Sequence, residues 1–221
     1  MRILGGAAVA IALAACGGAA EDVAPDATIE VPALRGAPGA IRGSFELTYY
    51  WMSAEADFTA PADTAIYDEH GAVLDRVPAK FASALELEGT GRLHDGRTIN
   101  RADACAGRRV CYHAVDAAHP WGEGVQDRAL VPFRTIAVDR TQIAYGTKLY
   151  VAELDGVLMP GDPPWGGFVH DGCVVAGDTG ARITGAHVDL FAAVKSGYVE
   201  LDGRLGLRRV TLRDAGARCP S

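Results

Sequence analysis

Asp178-Thr179-Gly180, followed by Asp189 eleven residues on (189 − 178) in Val188-Asp189-Leu190-Phe191, is the stretch on which the reading of this chain turns. A third aspartate lies upstream in Ile136-Ala137-Val138-Asp139, ahead of Ile143-Ala144-Tyr145-Gly146-Thr147-Lys148-Leu149-Tyr150-Val151. Each aspartate ends or interrupts a short apolar, β-branched run, which is where a strand delivers a carboxylate to the rim of a sheet or barrel. Aspartates at strand ends also cap turns through their own side chains. Two carboxylates beside one cleft, however, can have their pKa values driven apart, and that pair is the basic equipment for cutting a glycosidic bond.

Working outward, the chain reads as many short strands. Phe45, Leu47, Tyr49 and Trp51 alternate with Glu46, Thr48, Tyr50 and Met52, the period of a strand with one buried face. A hairpin is expected where Ala65-Ile66-Tyr67 and Ala72-Val73-Leu74 flank Glu69-His70-Gly71. A second is expected around Asp95-Gly96, a dipeptide suited to a primed two-residue turn. Between them Pro78 opens a short helix in which Phe81 and Leu85 share a face. Further strands are expected at 134–138, 147–154, 173–176, 187–191 and 208–212. Glycine supplies 27 of 221 residues, above the roughly 7% average and fitting for frequent tight turns. Little helix and many strands argue for a small barrel or a sandwich, and the pattern alone does not choose.

These segments together resemble the three-aspartate (3D) domain, the catalytic part of the membrane-bound lytic transglycosylase A family. The matches are Ala137-Val138-Asp139, Ile143 with Gly146, Tyr150-Val151, Asp178-Thr179-Gly180, Ile183 with Gly185, and Asp189 with Phe191. The likeness covers about residues 130–195. Ala144, Ala181 and Ala192 depart from the pattern, standing where that family has a proline and two glycines. The resemblance implies a six-stranded double-psi β-barrel with inserted hairpins and one or two short helices. It also implies a peptidoglycan lytic transglycosylase, with Asp189 as the catalytic acid and base and Asp178 and Asp139 in supporting places. Thr179, Gly180, Tyr145 and Trp165 are the candidate sugar contacts. The alternatives are a wall-binding lipoprotein that grips glycan without cutting it, and a glycoside hydrolase acting on another polysaccharide. Residues 52–130 are the segment available to wall off the far side of a groove.

The first residues carry a separate message. Arg2 precedes thirteen residues, Ile3 to Ala15, too few to span a bilayer, and Leu13-Ala14-Ala15-Cys16 reads as a lipobox. Residues 1–15 are therefore expected to be a lipoprotein signal peptide and Cys16 a lipid attachment site. Residues 16–43 follow as a tether, because fifteen of the positions 17–43 are Gly, Ala or Pro and offer little surface to bury. Residues 44–221 suffice for one buried domain. An exported protein is expected, held by lipid on the periplasmic face of an outer membrane and monomeric, with peptidoglycan as partner. The net charge of −7 argues against nucleic acid, whose phosphates call for clustered Lys and Arg.

Four cysteines remain after Cys16, and in an exported chain they read as two disulfides with three possible connectivities. Cys105 and Cys111 are neighbours in a polar loop, which favours that pair and leaves Cys173 with Cys219. The rival is zinc on Cys105, Cys111, His113 and His119, although structural zinc sites space their cysteines more tightly. No metal or cofactor is expected. Other arrangements are weaker. There is no Gly-x-Ser-x-Gly elbow, and Gly89-Thr90-Gly91 lacks a third glycine and a βαβ setting. Glu86 and Glu88 read as solvated or capping residues at a helix end. His170 and His187 lie close to the aspartate segments and read as packing or surface residues with some potential to bind sugar. Trp121 and Trp165 sit on Gly- and Pro-rich loops, as platforms for a sugar face or as lids on the core. The loop 155–172 exceeds hairpin length, as functional loops often do.

Overall fold

The computed structural model describes residues 36–219, so the expected signal peptide, most of the tether and Cys16 lie outside the described residues. In chain order the elements are β1 (Ile41–Tyr50), β2 (Ser53–Ala54), β3 (Thr64–Tyr67), β4 (Val73–Val77), α1 (Ala79–Glu88), β5 (Thr90–Arg92), β6 (Thr98–Arg101) and β7 (Tyr112–Ala114). They continue as β8 (Thr135–Val138), β9 (Lys148–Val151), β10 (Cys173–Asp178), β11 (His187–Phe191), α2 (Lys195–Leu205) and β12 (Arg209–Asp214). The chain is thus mainly β with two helices. Among the described residues no helix is long and apolar enough to cross a membrane.

Six strands pair in the order β1-β11-β8-β10-β9-β12, and β12 pairs back onto β1, so the sheet closes into a barrel. Two of the pairs, β1 with β11 and β10 with β8, are parallel; the other four are antiparallel. Alternate residues point inward as the two-residue strand period requires. Phe45 and Leu47, Ile136 and Val138, Leu149 and Val151, Val174 and Ala176, Val188 and Leu190, and Val210 and Leu212 fill one core. Each fully buried aliphatic side chain contributes about 1.5–3 kcal/mol.

The segment between β1 and β8 forms a small lobe of its own. Strands β2, β5, β6 and β7 make a four-stranded sheet, β3 and β4 a hairpin, and both pack with α1 around Ile66, Val77, Phe81, Leu85, Ile99 and Tyr112. The expected shared face of Phe81 and Leu85 is the face that α1 buries. Gly91 on β5 allows this contact, since a Cβ there would come within 2.7 Å of Leu85 and 3.0 Å of Phe81. α1 ends at Gly89, whose φ of +82° closes the helix in the left-handed conformation.

Several expectations need correction. The tether was expected to run to residue 43, but β1 begins at Ile41, and Gly39 already donates to the Asp214 carbonyl at 2.8 Å. Strand pairing with β12 therefore begins inside the glycine-rich stretch. The Asp95-Gly96 turn is not a primed two-residue turn, since both primed types need positive φ at the first central residue and Asp95 does not have it. Only Gly96 has it (+89°), and its N–H bonds to the Leu93 carbonyl, closing a longer five-residue connection. The strand expected over 147–154 stops at Val151 and turns through a short 3-10 segment that buries Leu154.

The cysteines pair as Cys105–Cys111 and Cys173–Cys219, each with Cα atoms 5.6 Å apart. Both thiols of the alternative zinc cluster are thereby consumed. His113 and His119 turn instead to Glu123 and Asp116, at 2.9 and 2.8 Å.

The two bridges differ in sequence separation, 6 against 46 residues. On the chain-entropy account, losing Cys173–Cys219 should cost on the order of 4 kcal/mol and losing Cys105–Cys111 about 2. Urea denaturation of the two paired Cys→Ala variants checks this; an equal or larger loss from the short bridge would contradict it.

Candidate active site

The site begins with an irregularity in β10. Val175 and Ala176 register with Thr135 and Ile136 of β8, but Asp178 registers with Ala137. Gly177 is thus an extra residue, a β-bulge. Without it Asp178 would share the inward face of Val174 and Ala176 and sit in the barrel core. The bulge shifts the alternation by one and turns the carboxylate outward. Gly124 lets its loop come close to the bulge: a Cβ on Gly124 would fall 2.1 Å from the Gly177 carbonyl oxygen.

On the opposite side of β8, Asp189 of β11 registers with the same residue, Ala137. Cross-strand partners share a face. Asp178 and Asp189 therefore flank one small side chain on the outer face, with Cα atoms about 10 Å apart from two strand spacings. Tyr50, Ala137 and Phe191 form part of a second apolar cluster on this face.

Each carboxylate is held by defined partners. The Tyr50 hydroxyl donates to Asp178 Oδ2 at 2.7 Å and the Thr179 N–H to Oδ1 at 2.8 Å. The Thr48 hydroxyl donates to Asp189 Oδ1 at 2.8 Å, and His187 Nε2 lies 2.8 Å from the same Thr48 oxygen. Burial pushes the Asp178 carboxyl up to about 6; its hydrogen bonds pull it down and the Asp189 charge adds to the rise. Burial likewise carries Asp189 to about 6 against the opposing pulls of Thr48 and His187. The rise at Asp189 comes from burial, and the charge repulsion between the two falls on Asp178.

Asp139 stands apart. Its carboxylate accepts from Gly185 N–H at 2.7 Å and from the Thr141 hydroxyl and N–H at 2.7 and 2.8 Å. These bonds hold it below the usual carboxylate range and tie down the loop that leads into β11. Asp139 therefore anchors the loop, and the geometry does not bring it to the pair.

A groove of about 720 Å³ runs between the barrel face and the small lobe. Asp178, Thr179 and Tyr145 line its barrel side, and Glu88, Asn100 and His113 are among the residues from the lobe. Glu88, read from the sequence as solvated or capping, is the main correction. Its Oε2 accepts the Trp51 N–H at 3.1 Å, and burial lifts its carboxyl to about 7, with the Asp189 charge contributing. Glu86 does meet the expectation of a surface residue, pairing with Arg109 at 2.5 Å. Gly180 is a turn residue whose carbonyl accepts the Ile183 N–H.

Trp165 lies in a separate depression of about 260 Å³, which it lines with Trp121, Phe133 and the start of α2. Trp121 packs edge-on to both Trp165 and Phe191, at 6.1 and 6.3 Å. It thus caps the outer cluster and also walls this depression. His170 is a core residue. Its Nδ1 accepts from Gly172 N–H and its Nε2 meets the Phe133 carbonyl, while burial lowers its pKa to about 4. Thr48, Tyr50 and Glu88 are the site residues that sequence reasoning missed. Thr48 and Tyr50 were visible as the polar-side residues of the β1 alternation; Glu88 gave no signal that its helix end faces a groove.

Residues 134–207 match the family model of the 3D domain, 74 of 221 residues (207 − 133), and this segment carries Asp139, Asp178 and Asp189. Among solved structures, the fold is similar to Escherichia coli MltA with bound chitohexaose. The TM-score is 0.54 at 14% identity, covering 78% of this chain and 71% of that one. A membrane-bound lytic murein transglycosylase from Agrobacterium tumefaciens matches at TM-score 0.49 and 13% identity, covering 78% and 72%. No curated protein matches by sequence.

The raised carboxyls set a pH dependence of stability. Asp178 and Asp189 (about 6) and Glu88 (about 7) hold protons more tightly folded than unfolded, where such groups titrate near ~4. The folded state binds the extra protons, so their contribution is present in acid and lost as pH rises through 6–7. The double variant Asp178→Asn/Asp189→Asn should therefore gain melting temperature relative to wild type at pH 7.5, and lose that gain by pH 4.5. Calorimetry at both pH values checks this, and a pH-independent difference would contradict it.

Proposed function

We propose that the protein is a peptidoglycan lytic transglycosylase. On this reading it cleaves the β-1,4 bond between N-acetylmuramic acid and N-acetylglucosamine and leaves a 1,6-anhydro end. The observation that carries the reading is the placement of Asp178 and Asp189 on one outer face of the barrel, either side of Ala137, with both carboxyls raised to about 6. The 3D-domain match over the same residues supports it, as does the fold shared with a lytic transglycosylase. The two parallel strand pairs fit a double-psi connectivity for the barrel.

Asp189 is the acid and then the base. Its proton passes to the departing glycosidic oxygen as the bond to C1 breaks. The resulting carboxylate takes the proton of the sugar's own C6 hydroxyl, whose oxygen attacks C1 and closes the anhydro ring. Attack is internal, so no second carboxylate is required to activate water, as an inverting hydrolase requires. Asp178 remains beside it, its ionised form favoured by the Tyr50 and Thr179 donors, where it faces the positive charge that develops at C1. Thr179 and Tyr145 contact the glycan in the groove, Trp165 stacks on a sugar beyond it, and Asp139 fixes the loop before β11.

Digestion of purified sacculi with mass analysis of the products tests the reading. Anhydro ends are expected from wild type, with turnover declining above about pH 6 as Asp189 loses its proton. Asp189→Asn should abolish product, and Asp139→Asn should reduce it far less. Reducing ends would indicate a hydrolase, and intact glycan with retained binding a wall-binding protein.

The address belongs to the same proposal: residues 1–15 are removed, Cys16 carries lipid, and the domain works as a monomer at the periplasmic face of an outer membrane. Two or more acyl chains, with about 0.8 kcal/mol for each buried methylene, suffice for stable anchoring. A fatty-acid analogue should label wild type and not Cys16→Ser; equal labelling of both would end the claim.

A further inference from the structure

The two oxygens of Asp189 differ. Oδ1 receives the Thr48 hydroxyl proton at 2.8 Å, whereas Oδ2 has no hydrogen-bond partner among the described residues. Thr48 has one proton to give, and it goes to Asp189. The 2.8 Å contact between Thr48 Oγ1 and His187 Nε2 must then run the other way, with Nε2–H donating. His187, Thr48 and Asp189 thus form a directed chain on one outer face. The register places them there: Thr48 is the direct partner of Asp189 in the parallel pair β1–β11, and His187 lies two residues before Asp189 on the same side of β11.

We propose that Thr48 and His187 are positioning residues that occupy Oδ1 of Asp189, so that the transferable proton resides on Oδ2 and is presented to the glycan from that oxygen alone. The inference rests on the assignment of Asp189 as acid and base. An oxygen that already accepts a hydroxyl proton is the poorer site for a second proton, so protonation is directed to Oδ2. His187 keeps Thr48 in this role by supplying the hydrogen bond that its oxygen would otherwise seek elsewhere. Protons balance along the chain: Thr48 and His187 keep theirs throughout, and only the Oδ2 proton leaves and returns. Other titratable groups also face Asp189. Asp178 stands across Ala137 on β10, Glu88 comes from α1, and Tyr50 lies further along β1. Glu46 registers beside His187. Any pH effect of the chain must therefore be read as a difference between variants that leave these groups intact.

Thr48→Val removes the hydroxyl at nearly constant volume. On peptidoglycan, kcat should fall about tenfold to a hundredfold with KM changed less than twofold, the size expected for one hydrogen bond to a charged group. The alkaline limb of the kcat profile should move to higher pH, because a bond favouring the ionised carboxyl is gone. Thr48→Ser restores the donor and should recover most of the rate and the limb; His187→Gln retains an N–H and should lose less than His187→Ala. Titration of the Asp189 carboxyl by carbon-13 NMR gives a readout independent of catalysis. Thr48→Val should raise its midpoint and Thr48→Ser should not, whether or not the wild type releases anhydro products. Absence of product from wild type with the NMR shift intact would overturn the functional assignment and leave the chain standing. An unshifted midpoint and unchanged kcat in Thr48→Val, or a Thr48→Ser variant as impaired as Thr48→Val, would overturn the proposal.

Discussion

The candidate site depends on one extra residue in a strand. A β-strand alternates its faces with a period of two, so Asp178 on a regular β10 would follow Val174 and Ala176 into the barrel core. An ionised carboxylate there would face a desolvation cost of several kcal/mol. The bulge at Gly177 shifts the alternation, and Asp178 emerges beside Ala137, where Tyr50 and Thr179 can meet it. Ala137 completes the arrangement from the other side. Its registry with both Asp178 and Asp189 sets their spacing, and its single methyl leaves room between them.

The electrostatics follow from this placement. Asp178 and, from the small lobe, Glu88 line one groove, Asp189 stands across Ala137 from Asp178, and burial raises all three carboxyls. Asp139 shows the contrast. It also ends a strand, but three donors from Thr141 and Gly185 surround it and hold its carboxyl below the usual range. Asp139 and Asp178 stand at strand ends and Asp189 in the middle of β11, so residue type and strand position do not sort the three. Dehydration raises the pair to about 6, and donors hold the anchor below the usual range.

Much of this was legible in the chain. Phe45 and Leu47 of β1, the Phe81 and Leu85 face of α1, the aspartate-bearing strands and the cysteine pairing are each found where local pattern and sequence proximity put them. Beyond Leu47, however, the buried residues are Tyr50 and Met52, not the expected Tyr49 and Trp51. What escaped depended on contacts between segments far apart in sequence. Glu88 is 101 residues from Asp189 (189 − 88), and nothing near it indicates that α1 ends against a groove. The bond from Thr48 to Asp189 spans 141 residues. α2 leaves little helical signal in the chain because Gly197 and Gly203 interrupt its pattern. Gly197 is needed for packing, since a Cβ there would fall 2.7 Å from the Ala192 carbonyl. The bulge had a local hint in Gly177, a glycine inside an apolar strand, which is where such irregularities occur.

The most direct test of this account is a crystal structure of the Asp189→Asn variant with an N-acetylated glucosamine oligosaccharide bound. The account predicts a glycan lying in the groove between barrel and lobe. A glycosidic oxygen should be within about 2.6–3.2 Å of the side-chain atom that replaces Asp189 Oδ2, with Asp178 on the C1 side. A glycan seated elsewhere, or one whose glycosidic oxygens all lie beyond reach of residue 189, would contradict it.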